Sequence, residues 1–205
     1  MKDYITIQAE ERTAEYVTER SRFIAAAIHV DTAEEAARFV EAKRKKYFDA
    51  THNCYAYIAG NKAKFSDDGE PQGTAGMPIY ECIRQNDLDF TCVVVTRYFG
   101  GIKLGAGGLT RAYSTACSDA LKLCDRLRVT DCILAQIEAD YSMLKTLRNA
   151  LRDRAREQAA FFEDKVRLLY LFPADLSTTI ADIVSQNTLG KGVFEVLEHK
   201  SAVWN

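Results

Sequence analysis

The chain has 205 residues, 47% of them hydrophobic, so it can bury a sizeable core and is long enough for two domains of unequal size. Its 27 Lys and Arg residues against 29 Asp and Glu residues give a formal net charge of −2, which excludes a generally basic nucleic-acid coat. No segment has the hydrophobic length of a signal peptide or a membrane span, so we expect a cytoplasmic protein without a membrane partner.

The first elements alternate between strand and helix. Residues 21–30 are strand-like, and Thr32 with Glu35 has the pattern of a capping box that opens a helix. The basic run 43–46 closes this helix, where cations suit the helix dipole, and it predicts a solvated helix end. Residues 53–59 predict a strand rich in aromatic side chains.

The middle of the chain contains two loops and two helices. Residues 62–76 predict a polar loop, after which Thr74 is expected to cap a helix that runs over residues 77–84. The β-branched run 91–96 predicts a fully buried strand, and a second helix is expected over residues 109–124.

The last part of the chain has a simpler order. Alternating apolar residues predict a strand over residues 133–139, followed by helix, two strands, helix and strand. This βαββαβ order is the ferredoxin-like arrangement. We therefore expect an α+β fold with an N-terminal domain at residues 1–130 and a ferredoxin-like C-terminal domain at residues 131–205.

The six cysteines form no CxxC motif and stand mostly in apolar runs. In a chain without an export signal they predict small, reduced hydrophobic residues. We expect no metal site and no cofactor. The cysteines are Cys54, Cys82, Cys92, Cys117, Cys124 and Cys132.

A glycine-rich segment, residues 96–113, joins the buried strand to the following helix. Glycines allow close backbone approach, and a helix N-terminus presents unpaired N–H groups with a partial positive charge, so the segment predicts an anion site. Alternatively, the glycines form only a tight crossover and the basic residues are solvated. Neither a P-loop nor a complete GxGxxG motif is present, since Thr110 replaces the third glycine. The candidate anion- or nucleic-acid-binding residues are Arg97, Tyr98, Lys103, Gly105, Gly107, Gly108 and Arg111, with Tyr98 and Phe99 able to stack on a base.

A second candidate segment, the acidic loop of residues 65–76, carries clustered carboxylates. Such a cluster can bind a hard cation or act as general acid and base, although the calcium-loop pattern is absent. Two other interpretations remain open: a turn in which side chains bond their own backbone, and pairing of the acids with Arg97, Lys103 and Arg111 across a cleft. The candidate residues of this loop are Ser66, Asp67, Asp68, Glu70 and Thr74.

His52 and Cys54 lie two residues apart at the head of a strand and should point the same way. A Cys–His nucleophile pair would also need a third, orienting group, and the sequence assigns none. His52 is therefore a candidate site residue, while the sequence identifies no catalytic residue.

Together these segments resemble the YigZ/Impact family, in its bacterial two-domain form. The resemblance implies an N-terminal fold like domain IV of elongation factor G and a ribosomal protein, and a C-terminal fold like domain V of that factor. The matching positions are Ser21–Ile24 as SRFI, His52 and Cys54, residues 65–71 as FSDDGEP, residues 73–76 as GTAG, residues 97–101 as RYFGG, and Leu104, Gly105, Gly107–Leu109, Ala112 and Tyr113.

The resemblance also implies a link to translation, because eukaryotic relatives regulate translation by binding a protein activator of a stress kinase. Fold analogy alone is weak support for function. Three functions stay open: a regulator that binds RNA or the ribosome, a regulator that binds only protein, and a small hydrolase or phosphotransfer enzyme that uses Asp67, Asp68 or His52. The expected partners are RNA, the ribosome or another protein.

Overall fold

The computed structural model describes residues 3–204 and confirms a mixed α+β fold. The chain forms two compact units: an N-terminal unit of residues 4–128, and a C-terminal unit of residues 129–204 with Asp3. The elements of the N-terminal unit are strands β1 Tyr4–Ile7, β2 Arg12–Thr18 and β3 Ser21–His29, helix α1 Ala33–Lys46, strands β4 His52–Ala59 and β5 Lys62–Ser66, helix α2 Gly76–Gln85, strand β6 Thr91–Tyr98 and helix α3 Gly105–Lys122.

Five strands of the N-terminal unit form an antiparallel sheet in the order β2-β3-β6-β4-β5. The central strand β6 is buried on both faces, as its β-branched run predicts. Because side chains alternate along a strand, Val93 and Val95 join the core beneath α2 and α3, whereas Cys92 and Val94 pack with residues of α1. The sheet therefore carries helices on both faces.

Helix α1 begins as predicted and ends differently. The amide of Glu35 donates to Thr32 Oγ1 at 3.1 Å, so the predicted cap is confirmed. The expectation of a solvated basic end is wrong for two residues. Lys43 is buried and pairs with Glu11, and Arg44 Nη2 lies 2.7 Å from Asp68 Oδ1. Both cations fold back onto carboxylates that are distant in sequence.

Three strands of this unit are missing from the sequence-based prediction. The first third of the predicted polar loop is strand β5, which pairs with β4 at the edge of the sheet. Its residues are mostly exposed, so it lacks the alternating apolar pattern that would predict a strand. Strands β1 and β2 are short or amphipathic and were not predicted either.

The C-terminal unit has the predicted βαββαβ order. Its four strands lie in the order β8-β9-β7-β10, with every neighbouring pair antiparallel. Both helices contribute to a single core with the sheet, through residues such as Leu147 and Ile180. The elements are β7 Arg126–Ala139, which starts at the end of the N-terminal unit, then α4 Leu144–Leu151, β8 Arg156–Phe162, β9 Val166–Pro173, α5 Ser177–Asn187 and β10 Val193–Val203, with 3₁₀ turns at Tyr141–Met143 and Ala174–Leu176.

All six cysteines are free, and all are buried except Cys124, which is half-buried, in agreement with the prediction of reduced hydrophobic residues. No group of His, Cys, Asp or Glu side chains in residues 3–204 is arranged to hold a metal ion. Across the same residues, no helix combines the length and the hydrophobicity that crossing a membrane requires.

Candidate functional site

Helix α3 begins earlier than its sequence predicts. Its first residue is Gly105, with φ of +69°, so the glycines that were expected in a loop form the first turn of the helix. Arg111 therefore lies in the second turn, not in the first as predicted. Glycine is a poor helix former, but the first-turn amides lack an intrahelical acceptor in any case, so the turn can form there.

The N-terminus of α3 has no side-chain cap. The preceding residue, Leu104, has no polar side-chain atom, and no side chain in the described part of the chain accepts a capping hydrogen bond there. Gly105, Ala106 and Gly107 are exposed to solvent. This row of amides therefore remains available to an acceptor from outside the protein.

A pocket of about 450 Å³ opens beside this helix end. The beginnings of α3 and β4, the end of β6 and the acidic loop supply its walls. The lining residues are Thr51, His52, Glu70, Pro71, Arg97, Phe99, Lys103, Leu104, Gly105, Ala106 and Leu109.

A buried polar network holds the floor of the pocket. Arg97 Nη1 donates to Glu70 Oε1 at 2.6 Å, and the Tyr113 hydroxyl donates to the same oxygen at 2.8 Å. Ser21 Oγ accepts from the amide of Gly100 at 3.1 Å and lies 3.5 Å from Arg97 Nη2. The sequence does not assign Ser21 or Tyr113 to the site. Ser21 reaches it from a distant part of the chain, and Tyr113 reaches it from the second half of the glycine-rich segment through a turn of α3.

The predicted pairing of acids and bases across a cleft is thus present for Arg97 and Glu70. The same prediction is wrong for Lys103 and Arg111, which are exposed and form no ion pair among residues 3–204. These two cations line a second pocket of about 400 Å³, together with Gly108. Lys103 lines both pockets, so the two cations flank the first turn of α3.

The Asp67 side chain, in the acidic loop, caps the N-terminus of helix α2. Its carboxylate accepts hydrogen bonds from the amides of Gly73 at 2.8 Å, Ala75 at 3.0 Å and Gly76 at 2.8 Å. Burial raises the pKa of Asp67, but the three amides lower it by more, so the pKa lies below its ordinary value. Thr74 does not cap the helix as predicted; its hydroxyl donates to the Pro71 carbonyl at 2.6 Å.

Asp68 is also occupied by protein donors. It accepts from Arg44 and, through Oδ2, from the amide of Asn53 at 2.7 Å. Its own amide lies 3.2 Å from Ser66 Oγ. These contacts favour the interpretation in which the acidic loop is ordered by its own backbone and by neighbouring cations.

His52 and Cys54 have separate environments. His52 Nδ1 bonds to the Asp68 carbonyl at 2.8 Å, while its Nε2 lies 3.9 Å from Glu70 Oε2. The Cys54 thiol donates to the Asp67 carbonyl at 3.0 Å, and burial raises the pKa of this thiol well above its ordinary value. Since the thiolate is the nucleophilic form, this environment disfavours a nucleophilic role for Cys54.

The two aromatic residues near the pocket differ in position. Phe99 is 46% exposed and lines the pocket, with the Arg97 guanidinium 5.4 Å from the centre of its ring. Tyr98 is not a lining residue; its hydroxyl donates to Asp49 at 2.8 Å. Phe99 is thus the aromatic side chain that can contact a ligand in this pocket.

Comparison with known proteins agrees with the resemblance in sequence. Residues 19–121 match the Impact N-terminal domain. The chain is 44% identical to the IMPACT family member YvyE of Bacillus subtilis over 159 residues, which are 75% of this chain and 71% of that protein. It is 39% identical to the IMPACT family member YigZ of Escherichia coli over 130 residues, 61% of this chain and 64% of that protein.

A solved structure described as the crystal structure of a hypothetical protein has the same fold. It is 30% identical, with a TM-score of 0.63, and the match covers 97% of this chain and 98% of that one. The matched domain contains all the segments that supply the pocket walls, among them the acidic loop and the start of α3. The chain belongs to the IMPACT family.

Proposed function

We propose that this protein is a translation-linked regulator that binds RNA, free or on the ribosome, at the N-terminus of α3. The observation that carries the proposal is the uncapped row of first-turn amides flanked by Lys103 and Arg111. Amides at a helix N-terminus point outward and carry a partial positive charge, so they bind phosphate without any special motif. The link to translation comes from the family resemblance.

The positive charge that binds a phosphate is confined to a local patch of the surface. The chain as a whole has a net charge of −2, so a phosphate must find a patch where cations are not neutralised. Arg97 is balanced by Glu70 and shapes the pocket wall. Lys103 and Arg111 are exposed and form no ion pair within residues 3–204, including with Glu19, which lines the second pocket beside them. The phosphate contacts are therefore assigned to these two side chains and the α3 amides.

The size and lining of the first pocket, beside the N-terminus of α3, suit one nucleotide. Its volume of about 450 Å³ lies within the ordinary range for small-ligand sites, roughly 300–1,000 Å³. Phe99 lines the same pocket with an exposed ring, and an aromatic ring stacks on any base without selecting its sequence. The expected ligand is single-stranded RNA with a phosphate at α3 and an adjoining base on Phe99.

The test is the salt dependence of RNA affinity. Single-stranded oligouridine would be titrated with the parent protein and with Lys103→Glu and Arg111→Glu. Each phosphate contact contributes a slope of about 0.7 in log affinity against log salt for a single strand, so each variant should bind more weakly and with a slope flatter by about that amount. Both effects are expected without loss of fold, because the two side chains are exposed.

Lys45→Glu is the matched control, since Lys45 is an exposed cation of the same unit and lines neither pocket. It changes the net charge equally and should leave the slope as in the parent. An affinity that is absent, insensitive to salt, or equally weakened by Lys45→Glu would disprove an RNA site at α3.

A further inference from the structure

Two polar atoms of residues that line the pocket, His52 Nε2 and Glu70 Oε2, form no hydrogen bond with any residue from 3 to 204. His52 Nδ1 bonds to a backbone carbonyl, Asp68 O, at 2.8 Å. A carbonyl oxygen can only accept, so Nδ1 carries the proton and, in the neutral imidazole, Nε2 presents a lone pair. No hydrogen bond to His52 Nε2 is formed by any residue from 3 to 204.

The second acceptor is Glu70 Oε2. Arg97 and Tyr113 both donate to the other oxygen, Oε1, and within the described residues Oε2 receives no hydrogen bond. It lies 3.9 Å from His52 Nε2, too far for a direct bond between them. The glutamate side chain is 3% exposed, so a donor that reaches Oε2 has to come through the pocket that Glu70 lines. Both residues line the pocket, so a bound donor can reach them.

The other residues that line the pocket limit which donor can bind there. Lys103 and the first-turn amides of α3 make part of this lining positive, which disfavours an ammonium group. A neutral hydroxyl group donates a proton without adding a cation. In a nucleotide the ribose hydroxyls lie next to the phosphate, whereas the polar edge of the base lies beyond the sugar.

We propose that the 2′-hydroxyl of a bound ribose donates its one proton to His52 Nε2, next to the Glu70 carboxylate, so that the pocket distinguishes RNA from DNA. This inference rests on the proposed function and adds a selectivity to it. The phosphate contacts are common to both nucleic acids, and the 2′-hydroxyl is the group by which a protein tells them apart. His52 is thereby the specificity-determining residue for a site whose affinity comes from α3.

The experiment compares oligouridine with oligodeoxyuridine of equal length, titrated at alkaline pH because only a neutral imidazole has an acceptor nitrogen. The two probes differ only in the 2′-hydroxyls. The parent protein should bind the RNA about tenfold more tightly, the worth of a good hydrogen bond to a buried acceptor. His52→Phe removes the lone pair and should bring the affinity ratio to about one, while the control Lys45→Glu should keep the ratio of the parent.

The outcomes separate this inference from the proposed function. Equal affinity of the parent for the two strands, which needs no variant, would overturn the hydroxyl contact and leave the phosphate site standing. A preference for RNA that persists in His52→Phe would overturn the role of His52. Binding of neither strand would overturn the proposed function, and this inference with it.

Discussion

The carboxylate of Glu70 and the guanidinium of Arg97 lie 2.6 Å apart, with 3% and 6% of the two side chains exposed. The pair joins the acidic loop to the end of β6, and Tyr113 of α3 donates to the same carboxylate. Taking two charges out of water offsets most of their attraction, so a buried pair contributes little compared with an apolar replacement. Removal of one member leaves the other charge buried without a partner, which is strongly destabilising.

Glu70→Gln and Arg97→Met should each lower the free energy of unfolding by about 3–5 kcal/mol. The double variant Glu70→Gln with Arg97→Met should lose far less than the sum of the two, because neither charge is then left unpaired. Urea unfolding followed by circular dichroism measures all four proteins in one cycle.

The control for this cycle is the exposed pair of Arg22 with Glu15, at 3.0 Å. Its removal by Arg22→Met should produce a much smaller loss, since solvent screens both charges. Additive losses in the Glu70 and Arg97 variants would show that the two side chains do not stabilise the fold as a pair.

The pKa of Asp67 makes stability depend on pH. The amides of Gly73, Ala75 and Gly76 lower this pKa despite the opposing effect of burial. Because the folded-state pKa is below the unfolded one, the stabilisation is present above the ordinary aspartate pKa of about 4 and is lost as the pH falls through the folded pKa. Asp67→Asn should therefore lower the free energy of unfolding by about 1–2 kcal/mol at neutral pH, and the deficit should shrink in acid.

Urea titrations between neutral pH and about pH 3 test this dependence. Asp87→Asn is the control, because Asp87 is exposed in the same unit and its positive φ of +53° is one that asparagine also adopts. A deficit of Asp67→Asn that stays constant down to the lowest pH would contradict the prediction.

Two glycines in the first turn of α3 should respond oppositely to the same substitution. Gly105 has φ of +69° and open space around it, so Gly105→Ala should cost about 1–2 kcal/mol from backbone strain alone. Gly107 has no such φ, and a Cβ there would meet only Arg111 Nη1, at 3.7 Å. Gly107→Ala should therefore stabilise the helix by about 0.5–1 kcal/mol.

Thermal unfolding of the two variants beside the parent gives the sign directly. Each variant is the other's control, because both add one methyl group to the same turn. A melting temperature that moves in the same direction for both would mean that backbone conformation does not decide the effect.

The sequence predicts a structural element correctly where the residues that determine it are neighbours in the chain. The cap formed by Thr32 and Glu35 lies within four residues, and the buried strand β6 is visible as an uninterrupted β-branched run. The βαββαβ order of the C-terminal unit follows from helical and strand periodicity in consecutive segments. In each case neighbouring residues alone select the backbone conformation.

The sequence predicts an element or contact wrongly where the residue that pairs with it is far away in the chain. Strand β5 is held by its ladder to β4 and has no periodicity of its own, so it was predicted as loop. The cap of α2 is Asp67, nine residues before Gly76, and not the nearby Thr74. Lys43 was predicted to be solvated because nothing near it in sequence identifies Glu11 as its partner.

The sequence by itself determined that the start of α3 is rich in glycine and accompanied by basic residues, and that carboxylates crowd residues 67–70. Only the tertiary structure decided which charges neutralise one another. Arg97 meets Glu70 in the interior, whereas Lys103 and Arg111 stay at the surface beside uncapped amides. The physical reason is that the pairing and desolvation of a charge depend on what folding brings within a few ångströms, and local sequence does not contain that distance.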